Sequence, residues 1–147
     1  MKIVLDTNVL VSGTFWTGDS FRILELIDQK EVMLVLSLSI LKEYVKTINS
    51  DEIMEKVSNK KLVLFKITEK VIKNAQIISP RRRIGLIKDD LDDNKILECA
   101  IEGRVEYIIT QDNHLLKIRE FEGVKIMTPE EFLRTKRPDR KSPSEPR

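Results

Sequence analysis

Apolar residues along this chain change rhythm several times, and each change marks an element. Ile3-Val4-Leu5, the run Glu31 to Leu36 (EVMLVL), Tyr107-Ile108-Ile109-Thr110 and Val124 to Met127 are short and nearly unbroken. Such runs predict strands covered on both faces in a parallel sheet. Elsewhere the apolar spacing opens to three and four. Phe21, Leu24 and Ile27 predict a helix ending near Lys30, and Ile40 to Ile48 predicts another with Ser37 or Ser39 as its cap. Ile96, Leu97, Ala100 and Ile101 share a face of a helix that opens on Asp90-Leu91-Asp92-Asp93-Asn94 and ends with Gly103 at the C′ position. Asp51 to Lys60 and Thr68 to Ile78 are also expected to be helical, the second capped by Thr68 and stopped by Pro80. Gly13 and Gly18 punctuate residues 9–20 as a loop, Ile84 to Ile87 is expected to be extended, and a short helix is expected from His114 to Ile118. Thr128-Pro129-Glu130-Glu131 opens the last helix, with a Thr cap, Pro at the first helical position and Glu three residues after the cap.

Strands alternating with helices through short connections predict an α/β fold. It should have three layers, α/β/α, around a central, mostly parallel sheet with right-handed crossovers. With 147 residues the chain is sized for one domain. Aromatics are only 5% of residues, so Ile, Leu and Val must fill the core. The single cysteine, Cys99, sits in an apolar helical stretch and excludes both a disulfide framework and a thiolate zinc site. No apolar run approaches the ~20 residues of a membrane span, and the N-terminus has no secretory pattern, so a cytoplasmic address is expected.

Charge redraws the domain boundary. The formal net charge is +2, but residues 134–147 hold six Arg/Lys against two Asp/Glu, which leaves residues 1–133 at −2. The folded unit is therefore expected over 1–133, followed by a basic, Pro-rich tail too polar to offset its ordering entropy. That tail either steers toward nucleic-acid phosphates or serves only solubility.

Four acids recur in matching settings. Asp6 and Asp112 each follow a strand, which puts them at the carboxyl edge where open α/β sheets bind ligands. Glu43 and Asp93 come from the first turns of helices directed at the same edge, with Asp90 or Asp92 open as alternatives to Asp93. Four converging carboxylates repel one another unless a cation joins them. All-oxygen donors select hard ions, Mg²⁺ or Mn²⁺. Such a site suits phosphodiester hydrolysis by an activated water, leaving a 5′-phosphate and a 3′-hydroxyl. Thr7, Asn8, Asn94 and Thr110 are short polar neighbours suited to holding the carboxylates by hydrogen bonds. Asp or Asn after a strand is also ordinary turn chemistry, and an Asp-rich helix start ordinary dipole compensation. Arg81, Arg82 and Arg83 are candidate RNA-phosphate contacts, or else charges on a solvated edge. Phe15 and Trp16 either pack in the fold or a dimer, or stack on an unpaired base.

Taken in order, Asp6-Thr7-Asn8-Val9-Leu10, Ser37 with Glu43, Asp90 to Lys95 with Ala100, and Ile108 to Asp112 resemble the PIN domain, whose fold is 5′-nuclease-like. The resemblance is strongest to toxins of VapC-type toxin–antitoxin systems and spans residues 1 to about 133. It implies a Mg²⁺- or Mn²⁺-dependent ribonuclease, commonly a homodimer, held inactive by an antitoxin peptide in the acidic groove. It also implies that Asp6, Glu43, Asp93 and Asp112 bind the metal. The chain departs from the pattern at His114, where many members carry a second Asp. His114 is either an exposed helix-start residue or a ligand or general acid. Two other functions compete: an RNA-processing or structure-selective DNA nuclease of the same fold, and a binding module without productive geometry.

Overall fold

A computed structural model describes residues 1–15, 18–55, 66, 69–86 and 91–136. In chain order these residues form β1 (Lys2–Leu5), α1 (Thr7–Phe15), α2 (Asp19–Asp28), β2 (Met33–Ser37), α3 (Leu38–Ile48) and α4 (Asp51–Met54). There follow α5 (residues 69–73), β3 (Ala75–Ile78), α6 (Leu91–Gly103), β4 (Tyr107–Ile109), α7 (Asn113–Leu116), β5 (Glu120–Phe121), β6 (Val124–Met127) and α8 (Pro129–Thr135). The sheet has six strands in the order β3-β2-β1-β4-β6-β5, and every neighbouring pair is parallel except β5 with β6. β1 is hydrogen-bonded to β2 on one side and β4 on the other, so the connections reverse direction there. This is the α/β architecture with a mostly parallel, helix-flanked sheet that the alternation of patterns predicts.

The central strands contain Ile3, Val4, Leu5, Val35, Leu36, Ile108 and Ile109, all fully buried, which is why their sequences do not alternate. Each such side chain contributes roughly 1.5–3 kcal/mol on leaving water. The largest buried side chains join elements to one another. The Tyr44 hydroxyl shares a 2.8 Å hydrogen bond with Thr14, tying α3 to α1. Phe132 of α8 meets Tyr107 of β4 edge-on, with ring centres 5.6 Å apart. Ser37 caps α3, and Thr128 with Glu131 forms a complete capping box on α8. No helix among the described residues is long and apolar enough to cross a membrane.

Several elements differ from the pattern-based expectation. Residues 9–15, read as a loop, belong to α1, which starts immediately after Asp6. This helix is buried on most sides and mixes Val9, Leu10, Val11 and Phe15 with small polar residues, so it lacks an amphipathic signature, and burial of Val9, Leu10 and Val11 outweighs its poor propensity. Gly13 is there for room: a Cβ would lie 2.8 Å from the Ser20 carbonyl oxygen of α2. The helix expected to continue to Ile78 stops at residue 73, and Ala75–Ile78 instead pairs with Leu34–Ser37 as an edge strand. A short apolar run suits either state, and the edge of β2 decides it. Of the stretch expected to be extended, residues 84–86 form no strand and Ile87 lies outside the described residues. Gly103 is the last residue of α6, and the left-handed position after it belongs to Arg104 (φ 54°). The Val105 and Arg104 amides close the helix on the Ala100 and Ile101 carbonyls. β5 was not legible, because it is two residues long. α8 runs to Thr135, two residues beyond the expected boundary. Expectations on Trp16, residues 56–60, Thr68, Asp90 and the tail from 137 onward fall outside the described residues.

Candidate active site

Each of the four acids is delivered by a different element to the carboxyl edge where the sheet reverses direction. Asp6 ends β1. Its amide donates to the Ile109 carbonyl at 3.0 Å, while its own carbonyl accepts from Val9 and Leu10 as the first turn of α1. Its carboxylate accepts a 2.7 Å hydrogen bond from the Thr110 hydroxyl. Thr110 is fully buried, and the same hydroxyl accepts the Asp112 amide at 2.9 Å. One side chain thereby fixes the spacing between acids at the ends of two adjacent strands. Asp112 caps α7, with Oδ1 accepting the His114 amide at 2.8 Å.

Glu43 lies in the second turn of α3, whose start is fixed by the Ser37 cap, and Thr7 donates to its Oε1 at 3.4 Å. Asp93, in the first turn of α6, is only 4% exposed, an unusual degree of burial for a carboxylate. Its Oδ2 lies 3.9 Å from His114 Nδ1, which is also 3.5 Å from Asp112 Oδ1. Asp93, Asp112 and His114 each offer one donor atom, and these atoms all lie within 4.8 Å of one another. Asp92 points to a different part of the cluster. It is largely exposed, pairs with Lys95 at 3.9 Å, and acts electrostatically on Glu43.

The charges are crowded. Burial, then Asp92 and Asp6, raise the Glu43 carboxyl above its usual value, against the opposing Thr7 hydrogen bond and Lys95. Carboxylates from four elements, converging with one nearby lysine, form a donor set that fits a hard divalent cation. Asp93 and Asp112, with His114, bring their donor atoms within 4.8 Å of one another, and Asp6 and Glu43, tied in through Thr110 and Thr7, are candidates to complete the set.

Of the expected supporting residues, Thr7 and Thr110 hydrogen-bond acids, Asn94 is buried beside Asp93, and Asn8 is exposed. Arg81, Arg82 and Arg83 are not brought to this edge. Arg81 binds Glu102, Arg82 makes a two-pronged pair with Glu122 at 2.6 and 2.7 Å, and Arg83 lies 3.8 Å from Glu98. Glu102 is nine residues beyond Asp93 on α6, roughly 13 Å along the helix. Any RNA contact by these arginines competes with their own ion pairs. His114 is what the acid count alone undervalues; its signal is an imidazole two residues past a strand-end Asp.

A family model described as the PIN domain matches residues 2–114. The chain belongs to the PIN domain family. A solved structure with the same fold is that of VapBC2 from Rickettsia felis bound to a DNA fragment from its promoter. It is 18% identical with a TM-score of 0.57, over 86% of this PIN chain and 97% of that one. No curated protein matches the chain.

Proposed function

We propose that this PIN domain is a Mg²⁺- or Mn²⁺-dependent endoribonuclease, the toxin of a toxin–antitoxin pair. Members of the family are generally nucleases, and the acidic cluster belongs to that chemistry. The observation that carries the reading is the convergence of Asp6, Glu43, Asp93 and Asp112 from four elements on one sheet edge, two of them set by the Thr110 hydroxyl. What a divalent cation supplies when bound is an acidified water and counter-charge for the reacting phosphodiester. The chain's own residues do the rest. Asp6 and Asp112 are held by Thr110, Asp93 is fixed by its burial, and Thr7 holds Glu43 by Oε1. The role in a toxin pair is supported by the likeness to a VapBC2 structure, and the reading includes an antitoxin partner at the acidic edge. A homodimer and a cytoplasmic site of action complete the reading.

The test is cleavage of mixed single-stranded RNA with Mn²⁺, Mg²⁺ or EDTA, with Asp6→Asn alongside. We expect metal-dependent cutting that leaves 5′-phosphates and is lost in Asp6→Asn without loss of fold. Tight metal binding with no cutting of any RNA would sink the enzyme reading. Co-expression with the neighbouring gene tests the toxin role: an absence of both growth arrest and a co-purifying partner overturns it.

A further inference from the structure

His114 makes this site differ from an all-carboxylate one. Its backbone amide alone satisfies the α7 cap, so the cap makes no demand on the side chain. The side chain is 57% exposed, so core packing makes none either. Yet Nδ1 is directed at two acids from different elements, 3.5 Å from Asp112 Oδ1 and 3.9 Å from Asp93 Oδ2. Adjacent donors on an octahedral ion with ~2.1 Å bonds are about 3 Å apart and opposite donors about 4.2 Å. Both imidazole distances already fall within that span, and the three donor atoms all lie within 4.8 Å of one another, close to what a single ion requires.

We infer that His114 is a metal ligand, giving the carboxylate site a nitrogen donor that tilts its choice from Mg²⁺ toward Mn²⁺. Mg²⁺ favours oxygen and keeps its water, whereas imidazole is a good ligand for transition ions and raises their affinity selectively. The inference rests on the metal site of the proposed nuclease and names which ion that site prefers.

The experiment uses the full chain and needs no RNA. Mn²⁺ and Mg²⁺ affinities are measured by calorimetry for the native protein, His114→Ala and His114→Asp, and pulsed electron paramagnetic resonance of bound Mn²⁺ reports directly coordinated nitrogen. We expect a ¹⁴N coupling in the native protein that is absent from both variants. His114→Ala should lose about tenfold or more in Mn²⁺ affinity, the scale seen even for residues one step removed from a metal, and less than threefold for Mg²⁺. His114→Asp should narrow the gap between the two ions. The side chain is exposed and the capping amide is kept, so both variants should melt cooperatively near the native temperature. Bound Mn²⁺ without nitrogen coupling, or equal losses for both ions, overturns the inference while leaving the nuclease reading standing. Failure of the native chain to bind either ion overturns both.

Discussion

At the scale of single residues, the site depends on two hydroxyls and one uneasy carboxyl. Thr110 is isosteric with valine, so Thr110→Val removes only the link between Asp6 and the Asp112 amide. We expect the variant to lose about 10- to 100-fold in divalent-metal affinity and roughly 1–3 kcal/mol of stability, read by calorimetry and urea unfolding. Glu43 has the opposite sign. Its folded-state carboxyl is raised, so the fold favours the protonated form, and that contribution, complete below about 4.5, is lost as pH climbs through the raised value. In EDTA, Glu43→Gln should therefore be more stable than the native protein at neutral pH, with the difference vanishing in acid; a variant that is less stable at neutral pH refutes this. Cys99, fully buried with its thiol pushed up to about 12 by desolvation, is a core residue, as its apolar setting suggests. The acids at strand ends and helix starts were readable from position alone. The direction of His114 was not, because it depends on how α7 and α6 meet.

At the scale of elements, what was legible followed burial on a single clear period. The four central strands and the capped helices α3 and α8 were evident because unbroken apolar runs and cap residues have few alternatives. α1 was hidden because a helix buried nearly all round has no periodic signal, and β3 because an edge strand's apolar residues can be spaced like a helix. Gly103 was recognised as a helix end, but for a different reason from the one that operates. A Cβ there would lie 2.6 Å from Val35 Cγ1, so glycine lets α6 approach β2, while Arg104 takes the left-handed turn. Gly103→Ala should cost about 1–3 kcal/mol through overpacking, more than the ~1 kcal/mol of helix propensity it gains, and should lower the denaturant midpoint. An unchanged or higher midpoint would mean that Val35 yields freely.

At the scale of the whole molecule, binding and folding are linked. A cation held by residues from four elements favours only the folded state, so Mn²⁺ at 100 times its dissociation constant should add about 2.7 kcal/mol. The matching rise in melting temperature should disappear in Asp6→Asn, and a rise of equal size in that variant would place the ion elsewhere. Fold class could be anticipated because alternation and connection length leave few topologies; the sheet order β3-β2-β1-β4-β6-β5 required the structure. That order has a consequence for synthesis. β1 leaves the ribosome before the other described strands but lies in the middle of the sheet, and its second neighbour, β4, ends at Ile109. Until that late strand has been translated, Asp6 has neither Thr110 to hold it nor Asp112 beside it. A nascent chain therefore emerges unarmed, and whatever chemistry this edge performs is withheld until translation has passed Asp112.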